Sequence, residues 1–206
     1  MKVLLINGSP HEKGCTYTAL SLIAGELKAQ GIETEILHVG GQPVGGCIGC
    51  GGCRSGNGCV FGGVVNEAIE KAKTADAFVF GSPVHYASAA GNMASFMDRL
   101  AYAGGKYLAY KPAAICASAR RAGTTTTLDQ LVKYPQFFHM PLVNGSYWAM
   151  VHGSNPEQVL QDAEGCAVMQ ELGRNMAWLL RCIEAGKAAG IDHPQNPPRP
   201  MTSFIR

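Results

Sequence analysis

The 206-residue sequence lacks several features that would place a protein in a familiar class. No apolar run approaches the ~18 residues that a membrane-spanning helix needs. Only 16% of the residues are charged, and Arg120 and Arg121 are the only adjacent basic pair, so nothing favours a nucleic-acid or membrane partner. The apolar run Val3–Ile6 is too short for the core of a signal peptide, which predicts a cytoplasmic protein.

Two common nucleotide-binding patterns are missing as well. The turn Asn7–Thr18 contains neither the Walker A spacing nor G-x-G-x-x-G, which argues against ATP and against a Rossmann NAD site. Its glycines still let the backbone turn sharply, and the following helix offers N–H groups to an anion. Ser9 and Thr16 add hydroxyl donors, while Thr16 or Thr18 is expected to cap the helix. The turn predicts a phosphate site, with an unliganded βα turn as the alternative.

What the sequence does contain is an alternation of strand and helix patterns, typical of a parallel sheet covered on both faces. It predicts an α/β three-layer sandwich with a five-stranded parallel sheet of order 2-1-3-4-5. The expected strands are Lys2–Ile6, Glu33–His38, Ala77–Gly81, Pro112–Ala117 and a fifth that begins at Leu142–Val143 and continues near Ala149. The expected helices are Thr16–Gln30, Val64–Thr74, Ala90–Ala103, Thr124–Lys133 and Pro156–Lys187, the last interrupted at Gly165 or Gly173.

The pattern predicts one domain over residues 1–187 and a Pro-rich tail at 188–206. Residues 40–63 form a long Gly- and Cys-rich insertion, and a loop of this length inside a compact domain is usually functional. The last helix carries apolar residues on more than one face, which favours a second contact surface such as a subunit interface.

Four of the eight cysteines lie in that insertion with the spacing C-x₂-C-x₂-C-x₅-C, at Cys47, Cys50, Cys53 and Cys59. Closely spaced thiolates hold cubane iron–sulfur clusters. Zinc also accepts four thiolates, but its usual arrangement is two C-x₂-C pairs set well apart. The spacing predicts a [4Fe–4S] site, a zinc site, or cysteines that stay empty or work as a thiol pair. The other cysteines are expected to be small buried hydrophobic residues, namely Cys15, Cys116, Cys166 and Cys182.

Several short motifs together resemble one family. They are Asn7–Pro10 with Gly14 and Thr16, Gly81–Val84, Ser95–Arg99 and the C-terminal Thr202–Arg206. In this combination the chain resembles the NADPH-dependent FMN reductases and, more closely, the branch that includes the iron–sulfur flavoproteins. The resemblance covers most of the chain and implies a flavodoxin-like fold that binds FMN.

The resemblance also implies that three loops bind the flavin. The first would hold the phosphate, the second would lie along the ribityl chain and ring, and the third would close over the ring and phosphate. The implied residues are Ser9, His11, Gly14, Cys15, Thr16, Tyr17 and Thr18 in the first loop, Pro83, Val84, His85 and Tyr86 in the second, and Ser118, Arg120, Arg121 and Gly123 in the third.

The chain departs from the family pattern at His85, at Ala94 and at Phe61–Gly63, which replaces the acidic residues that often follow the last cysteine in the family. The family usually has Tyr at the position of His85 and often Lys at the position of Ala94. His85 is expected to form a wall of the site, with hydrogen bonding to the flavin or proton donation to a substrate as alternatives. No catalytic side chain is expected, because N5 of a flavin carries the chemistry. Asp98 and Arg99 are expected to form a structural ion pair.

These observations predict an FMN-dependent oxidoreductase that passes electrons from NAD(P)H through FMN to a free flavin, a quinone or another small acceptor. One alternative is an electron-transfer protein whose [4Fe–4S] cluster takes electrons from a ferredoxin and passes them to FMN. Another is a non-catalytic FMN-binding protein. The resemblance also implies a homodimer or homotetramer, with the flavin near the subunit interface.

Overall fold

A computed structural model describes residues 1–203 of the chain; residues 204–206, which end the motif Thr202–Arg206, lie outside the described part. The strands are β1 (Lys2–Asn7), β2 (Glu33–His38), β3 (Ala77–His85), β4 (Ser88–Ala89), β5 (Ala113–Ala119) and β6 (Met150–His152). The α-helices are α1 (Cys15–Ala29), α2 (Val64–Thr74), α3 (Gly91–Gly104), α4 (Thr124–Phe137), α5 (Pro156–Val159) and α6 (Ala163–Ala188). Within residues 1–203, none of these helices is long and apolar enough to cross a membrane.

The parallel strands lie in the order β2-β1-β3-β5-β6. The central strand β1 places Leu5 opposite Ile36 on one side and opposite Val79 on the other. Residues Val3–Ile6 are buried, as expected for a parallel strand with helices on both faces. Counted along the chain, the parallel strands have the predicted order 2-1-3-4-5, which is confirmed. The sixth strand, β4, is a two-residue antiparallel addition to β3.

The strand β3 runs farther than the sequence predicts. The sequence predicts that this strand ends at Gly81, and glycine and proline usually interrupt strands. Instead, its pairing with β5 continues as far as Pro83, opposite Ser118, and its last residues pair with β4. Tertiary pairing therefore overrides the local signal, and most of the expected second loop is a hairpin.

The predicted start of the fifth strand at Leu142–Val143 is wrong. Leu142 makes an isolated bridge to Ala113, and continuous pairing at this edge of the sheet begins only at Met150, opposite Ala117. The segment between them leaves the edge. Two short contacts separated by a loop replace the single strand that the apolar residues predicted.

The last helical segment is divided near one of the two expected glycines. The helices α5 and α6 are separated before Gly165, where Asp162 caps α6 by accepting a hydrogen bond from the Gly165 N–H at 3.0 Å. Gly173 lies inside α6 without interrupting it. A Cβ at Gly173 would lie 2.7 Å from the Ile23 carbonyl oxygen, so this glycine permits close packing of α6 on α1.

Two hydrophobic cores lie on opposite faces of the sheet. On one face, Leu4 and Ile6 pack with buried residues of α2, α3 and α4. On the other, Val3 and Leu5 pack with α1 and α6. Alternate residues of one strand therefore anchor both helical layers, which fixes the direction in which β1 delivers the turn that follows it.

Candidate functional site

The carboxyl ends of β1, β3 and β5 meet at one edge of the sheet. Asn7 pairs with Gly81, and Pro83 pairs with Ser118. Ligands of doubly wound sheets bind at this edge. The fold thus brings together the three segments that were expected to bind the flavin: the turn after β1, the β3–β4 hairpin and the loop after β5.

The side chain of Asn7 stabilises the first turn through two hydrogen bonds. Its side-chain oxygen accepts a hydrogen bond from the Ser9 N–H at 3.1 Å, and its amide nitrogen donates to the Glu12 carbonyl at 2.9 Å. The Ser9 hydroxyl accepts from the His11 N–H at 3.1 Å. Ser9 is buried and braces the turn internally, whereas His11 is exposed at its surface.

Two residues that the sequence did not single out hold the turn from the side of β2. The Nε2 atom of His38 donates a hydrogen bond to the Ser9 carbonyl at 2.7 Å. Gly40 passes against the same peptide, and a Cβ there would overlap the Ser9 carbonyl and lie 2.6 Å from the Gly8 carbonyl oxygen. The backbone of the insertion therefore begins in direct contact with the predicted phosphate turn.

Helix α1 begins at the end of this turn. Its N-cap is Gly14, and among residues 1–203 no side chain caps the helix. The expectation that Thr16 or Thr18 caps it is wrong, because the Thr18 hydroxyl donates back to the Gly14 carbonyl and Thr16 bonds elsewhere. Uncapped first-turn N–H groups, together with the helix dipole, suit the phosphate of FMN.

A buried hydroxyl pair joins the first loop to the end of β5. The Oγ1 atom of Thr16 and the Oγ atom of Ser118 lie 2.8 Å apart, and both residues are buried. Either hydroxyl can be the donor, and the pair holds the first loop against the end of β5.

We expect Thr16→Val to weaken FMN binding about tenfold, because the change removes a hydroxyl and leaves Ser118 buried without its partner. Titration of the apoprotein with FMN, followed by flavin fluorescence, measures the effect. Ser118→Ala serves as the matched change, and the double variant should bind FMN no more weakly than the worse single variant. Fully additive losses would show that the two hydroxyls act independently.

The second and third loops contact each other through Gly123. This residue has φ of +96°, and a Cβ there would lie 2.6 Å from the Ala87 Cα and 2.8 Å from the Val84 Cγ1. Ala87 and Tyr86 form the hairpin turn with φ of 59° and 48°. Such values are uncommon for residues other than glycine, and they cluster at functional sites.

The remaining predicted flavin residues differ in exposure. Pro83, Val84, Gly14, Cys15, Tyr17 and Thr18 are half-buried along the edge, whereas His85, Tyr86, Arg120 and Arg121 are exposed. The Cys15 thiol donates a weak bond to the Gly153 carbonyl, and burial raises the pKa of that thiol. The edge therefore has a buried polar floor and an exposed rim that carries two guanidinium groups and an imidazole.

The four cysteines of the insertion line a single cavity of about 280 Å³. It lies between residues 47–61 and the outer side of α3, with Arg99, Tyr102 and Ala103 on the α3 side. Cys53 lies on a 3₁₀ turn, Gly52–Ser55, that is flanked by Gly51 and Gly56, both at positive φ. These glycines allow the sharp turns with which all four thiols come to line one cavity.

Two asparagine side chains attach the ends of the cysteine loop, which we define as residues 45–62. At its start, Asn92 of α3 accepts from the Val44 N–H at 3.1 Å and donates to the Gly40 and Gln42 carbonyls. At its end, Asn66 of α2 accepts from the Cys59 N–H at 2.8 Å and donates to the Cys59 carbonyl at 3.0 Å.

The expected ion pair between Asp98 and Arg99 is not formed. Asp98 accepts a hydrogen bond from the Tyr134 hydroxyl at 2.6 Å, while Arg99 donates from Nε to the Cys59 Sγ at 3.2 Å. Neighbouring residues of a helix point to different faces, so the two side chains cannot share one environment.

The donor set of the cysteine loop fits an iron–sulfur cluster. Four thiols surround one cavity, and a guanidinium donor already contacts one of the sulfurs. Within residues 1–203, no three His, Cys, Asp or Glu side chains converge on a position for a single metal ion.

The isolated cysteines are not uniformly buried as expected. Cys116 is buried in β5, and burial raises its pKa to about 12. Cys15 and Cys166 are half-buried, while Cys182 is exposed on α6. The expectation is wrong for Cys182, because the surface of α6 that carries it faces outward.

Comparison with known proteins agrees with this geometry. The family model of the NADPH-dependent FMN reductases matches residues 1–155. The chain belongs to this family. The match includes all three loops of the sheet edge and the cysteine loop, and it makes the chain an FMN-dependent oxidoreductase.

Individual relatives support the predicted branch of the family, and a solved structure supports the predicted fold. An iron–sulfur flavoprotein of Methanocaldococcus jannaschii is 28% identical over 193 residues, 89% of this chain and 100% of the relative. One of Methanosarcina thermophila is 22% identical over 192 residues, covering 91% and 99% of the two chains. Among solved structures, a flavodoxin from the domain Archaea has a TM-score of 0.60 at 14% identity, covering 88% of this chain and 99% of the other. The fold is flavodoxin-like.

Proposed function

We propose that this FMN reductase family member is an electron-transferring iron–sulfur flavoprotein with a [4Fe–4S] cluster on Cys47, Cys50, Cys53 and Cys59. The observation that carries the proposal is the single cavity lined by all four cysteines. When bound, such a cluster would supply one-electron chemistry, and FMN would supply a ring that accepts electrons singly or in pairs. The names of the relatives support this choice over an empty cysteine loop.

The chain's own residues have two tasks in this proposal. The first-turn amides of α1 bind the phosphate of FMN, and the buried Thr16–Ser118 hydroxyl pair holds the first loop in place against β5. The β3–β4 hairpin and Gly123 shape the wall beside the ring. No side chain is required as a nucleophile or general base, because the flavin ring itself undergoes the redox change.

NAD(P)H is a second candidate electron donor, besides ferredoxin, and it is the donor that the sequence predicts. Arg120 and Arg121 are both exposed at the end of β5, beside the flavin edge. A guanidinium group binds phosphate in a bidentate manner, so this pair suits the phosphates of a nicotinamide dinucleotide. Under this proposal the enzyme reduces a free flavin, a quinone or another small acceptor without needing the cluster.

Anaerobic purification followed by iron, acid-labile sulfide and FMN analysis tests the cluster proposal. We expect about four irons and four sulfides per FMN. Stopped-flow spectra then separate the donors, since a cluster-dependent carrier is bleached quickly by reduced ferredoxin and slowly by NADPH. Flavin without iron would refute the cluster, and rapid bleaching by NADPH alone would support the second candidate.

Native-state alkylation provides an independent readout with an internal control. Cys182 and the cysteine-loop residues Cys47 and Cys50 are exposed, so all three should react with iodoacetamide in metal-free protein. After iron and sulfide are loaded, labelling of Cys47 and Cys50 should fall more than tenfold, because bound thiolates do not react, while Cys182 labelling persists. Mass spectrometry identifies each site, and equal labelling of the loop with and without iron would count against the cluster.

We also propose that the protein is a homodimer or homotetramer. Trp178 on α6 is 67% exposed on the helix whose opposite face packs against α1, which leaves a large aromatic side chain on an outward surface. Light scattering after size exclusion gives the mass in solution. A mass near the 21.8 kDa of one chain would exclude this proposal.

A further inference from the structure

We propose that Arg99 is the positioning residue of the cysteine loop: it closes the loop and places a positive charge against the Cys59 sulfur. The electrostatic half of this inference rests on the proposed cluster. The role of Arg99 in closing the loop concerns the protein alone and is tested without metal.

The first observation is the number of bonds that Arg99 makes. Its guanidinium donates from Nε to the Cys59 Sγ at 3.2 Å, from Nη1 to the Gly45 carbonyl at 3.3 Å and from Nη2 to the Gly62 carbonyl at 3.1 Å. Gly45 precedes the first cysteine and Gly62 follows the last, so one side chain of α3 connects both ends of the loop. Only a planar fork with several donors can reach these acceptors together.

The second observation is the burial of this charge. Arg99 is 6% exposed, and the Phe61 ring lies 5.5 Å from its guanidinium carbon. Among residues 1–203, no carboxylate forms a salt bridge with it. Buried charges are normally paired, because an isolated one loses its hydration without compensation. The group facing Arg99 is a cysteine sulfur, so the missing negative charge is expected at the cysteine cavity.

These observations define two effects on a cluster held in the cavity. A hydrogen bond and a positive charge at a ligand sulfur favour the more negative, reduced state, which raises the reduction potential. The bonds to Gly45 and Gly62 hold the ends of the loop together, which reduces the entropy that four-point ligation would otherwise lose. Arg99 therefore affects both the potential and the retention of iron without being a ligand.

The test compares Arg99→Met, Arg99→Lys and the control Arg54→Met. Arg54 lines the same cavity but is exposed, so its removal changes the local charge without opening the loop. In metal-free, reduced protein, hydrogen–deuterium exchange of peptides covering residues 45–62 should be at least about tenfold faster in Arg99→Met than in wild type. Exchange in Arg54→Met should match wild type, and the FMN content of each variant reports whether the sheet edge is intact.

After anaerobic loading, iron release to a chelator and a redox titration followed by EPR test the second effect. Arg99→Met should retain iron about 10- to 100-fold more weakly and titrate at a lower potential than wild type. Arg99→Lys keeps the charge but cannot span three acceptors, so its potential should stay near wild type while its loop exchanges faster. If the reduction potential of Arg99→Lys matches wild type while that of Arg99→Met does not, the positive charge rather than loop closure sets the potential.

The outcomes distinguish the inference from the proposed function. Wild-type exchange rates in Arg99→Met would overturn the closing role whether or not iron binds. Equal potentials in Arg99→Met and wild type would overturn the electrostatic role. If wild-type protein takes up no iron, the cluster proposal fails and the electrostatic role fails with it, while the exchange experiment still decides the closing role.

Discussion

We expect Gly40→Ala to weaken FMN binding by about 10- to 100-fold, although Gly40 lies outside the three loops that are expected to bind the flavin. A Cβ at this position would overlap the Ser9 carbonyl and lie 2.6 Å from the Gly8 carbonyl oxygen. Both contacts are backbone atoms, so no side-chain rotation relieves them. The turn must shift, and the first-turn amides of α1 lose their alignment with the phosphate.

Fluorescence titration of the apoprotein with FMN measures this loss. Gly25→Ala is the matched control, because Gly25 is exposed within α1 and a Cβ there meets nothing within 4 Å. That control should bind FMN as wild type does and raise the free energy of unfolding by about 0.5–1 kcal/mol, as alanine is the better helix former. If Gly40→Ala binds FMN normally, the contact between the insertion and the phosphate turn is not functional.

The second large effect is expected at the junction of the hairpin and the third loop. Gly123→Ala combines two penalties, since φ is +96° and the new Cβ would lie 2.6 Å from the Ala87 Cα. We expect the free energy of unfolding to fall by about 2–4 kcal/mol, in the range of strain combined with overpacking. FMN should also dissociate faster, because the wall beside the ring is displaced.

Gly31→Ala separates the two penalties. Gly31 has φ of +74° and open space around a Cβ, so its substitution carries the backbone strain without the collision. Urea unfolding of the apoproteins gives both stabilities, and stopped-flow dilution gives the FMN off-rates. Equal destabilisation by the two substitutions, with unchanged FMN release, would contradict a role for the Gly123–Ala87 contact.

Much of the fold could be predicted because its signals are local. The buried run Val3–Ile6 and the alternation of strands with helices determine the class and the order of the parallel strands. The length of β3 could not be predicted, because its extension depends on pairing with β5 and β4 rather than on its own sequence. The same holds for Leu142, whose apolar character did not reveal that the chain leaves the sheet edge after it.

The candidate site, like the fold, could be predicted only in part. Its three loops could be located because they follow the strands of a doubly wound sheet and carry unusual residues. The supports His38, Gly40, Asn66 and Asn92 were missed, since each acts on a segment that is distant in sequence or runs through a backbone contact. Helix geometry did offer one unused signal. Asp98 and Arg99 are adjacent, so they could not face the same side of α3.

Because two asparagine side chains hold its ends, the cysteine loop can change in length and sequence independently of the rest of the fold. Asn92 fixes the chain at Val44 and Asn66 fixes it at Cys59, while the sheet and the phosphate turn lie outside these limits. Insertions, deletions or a different cysteine spacing between the attachments would leave the sheet edge in place, since added length in a closed loop carries only a small entropic penalty. A change confined to this segment would therefore alter the cysteine cavity and spare the sheet edge.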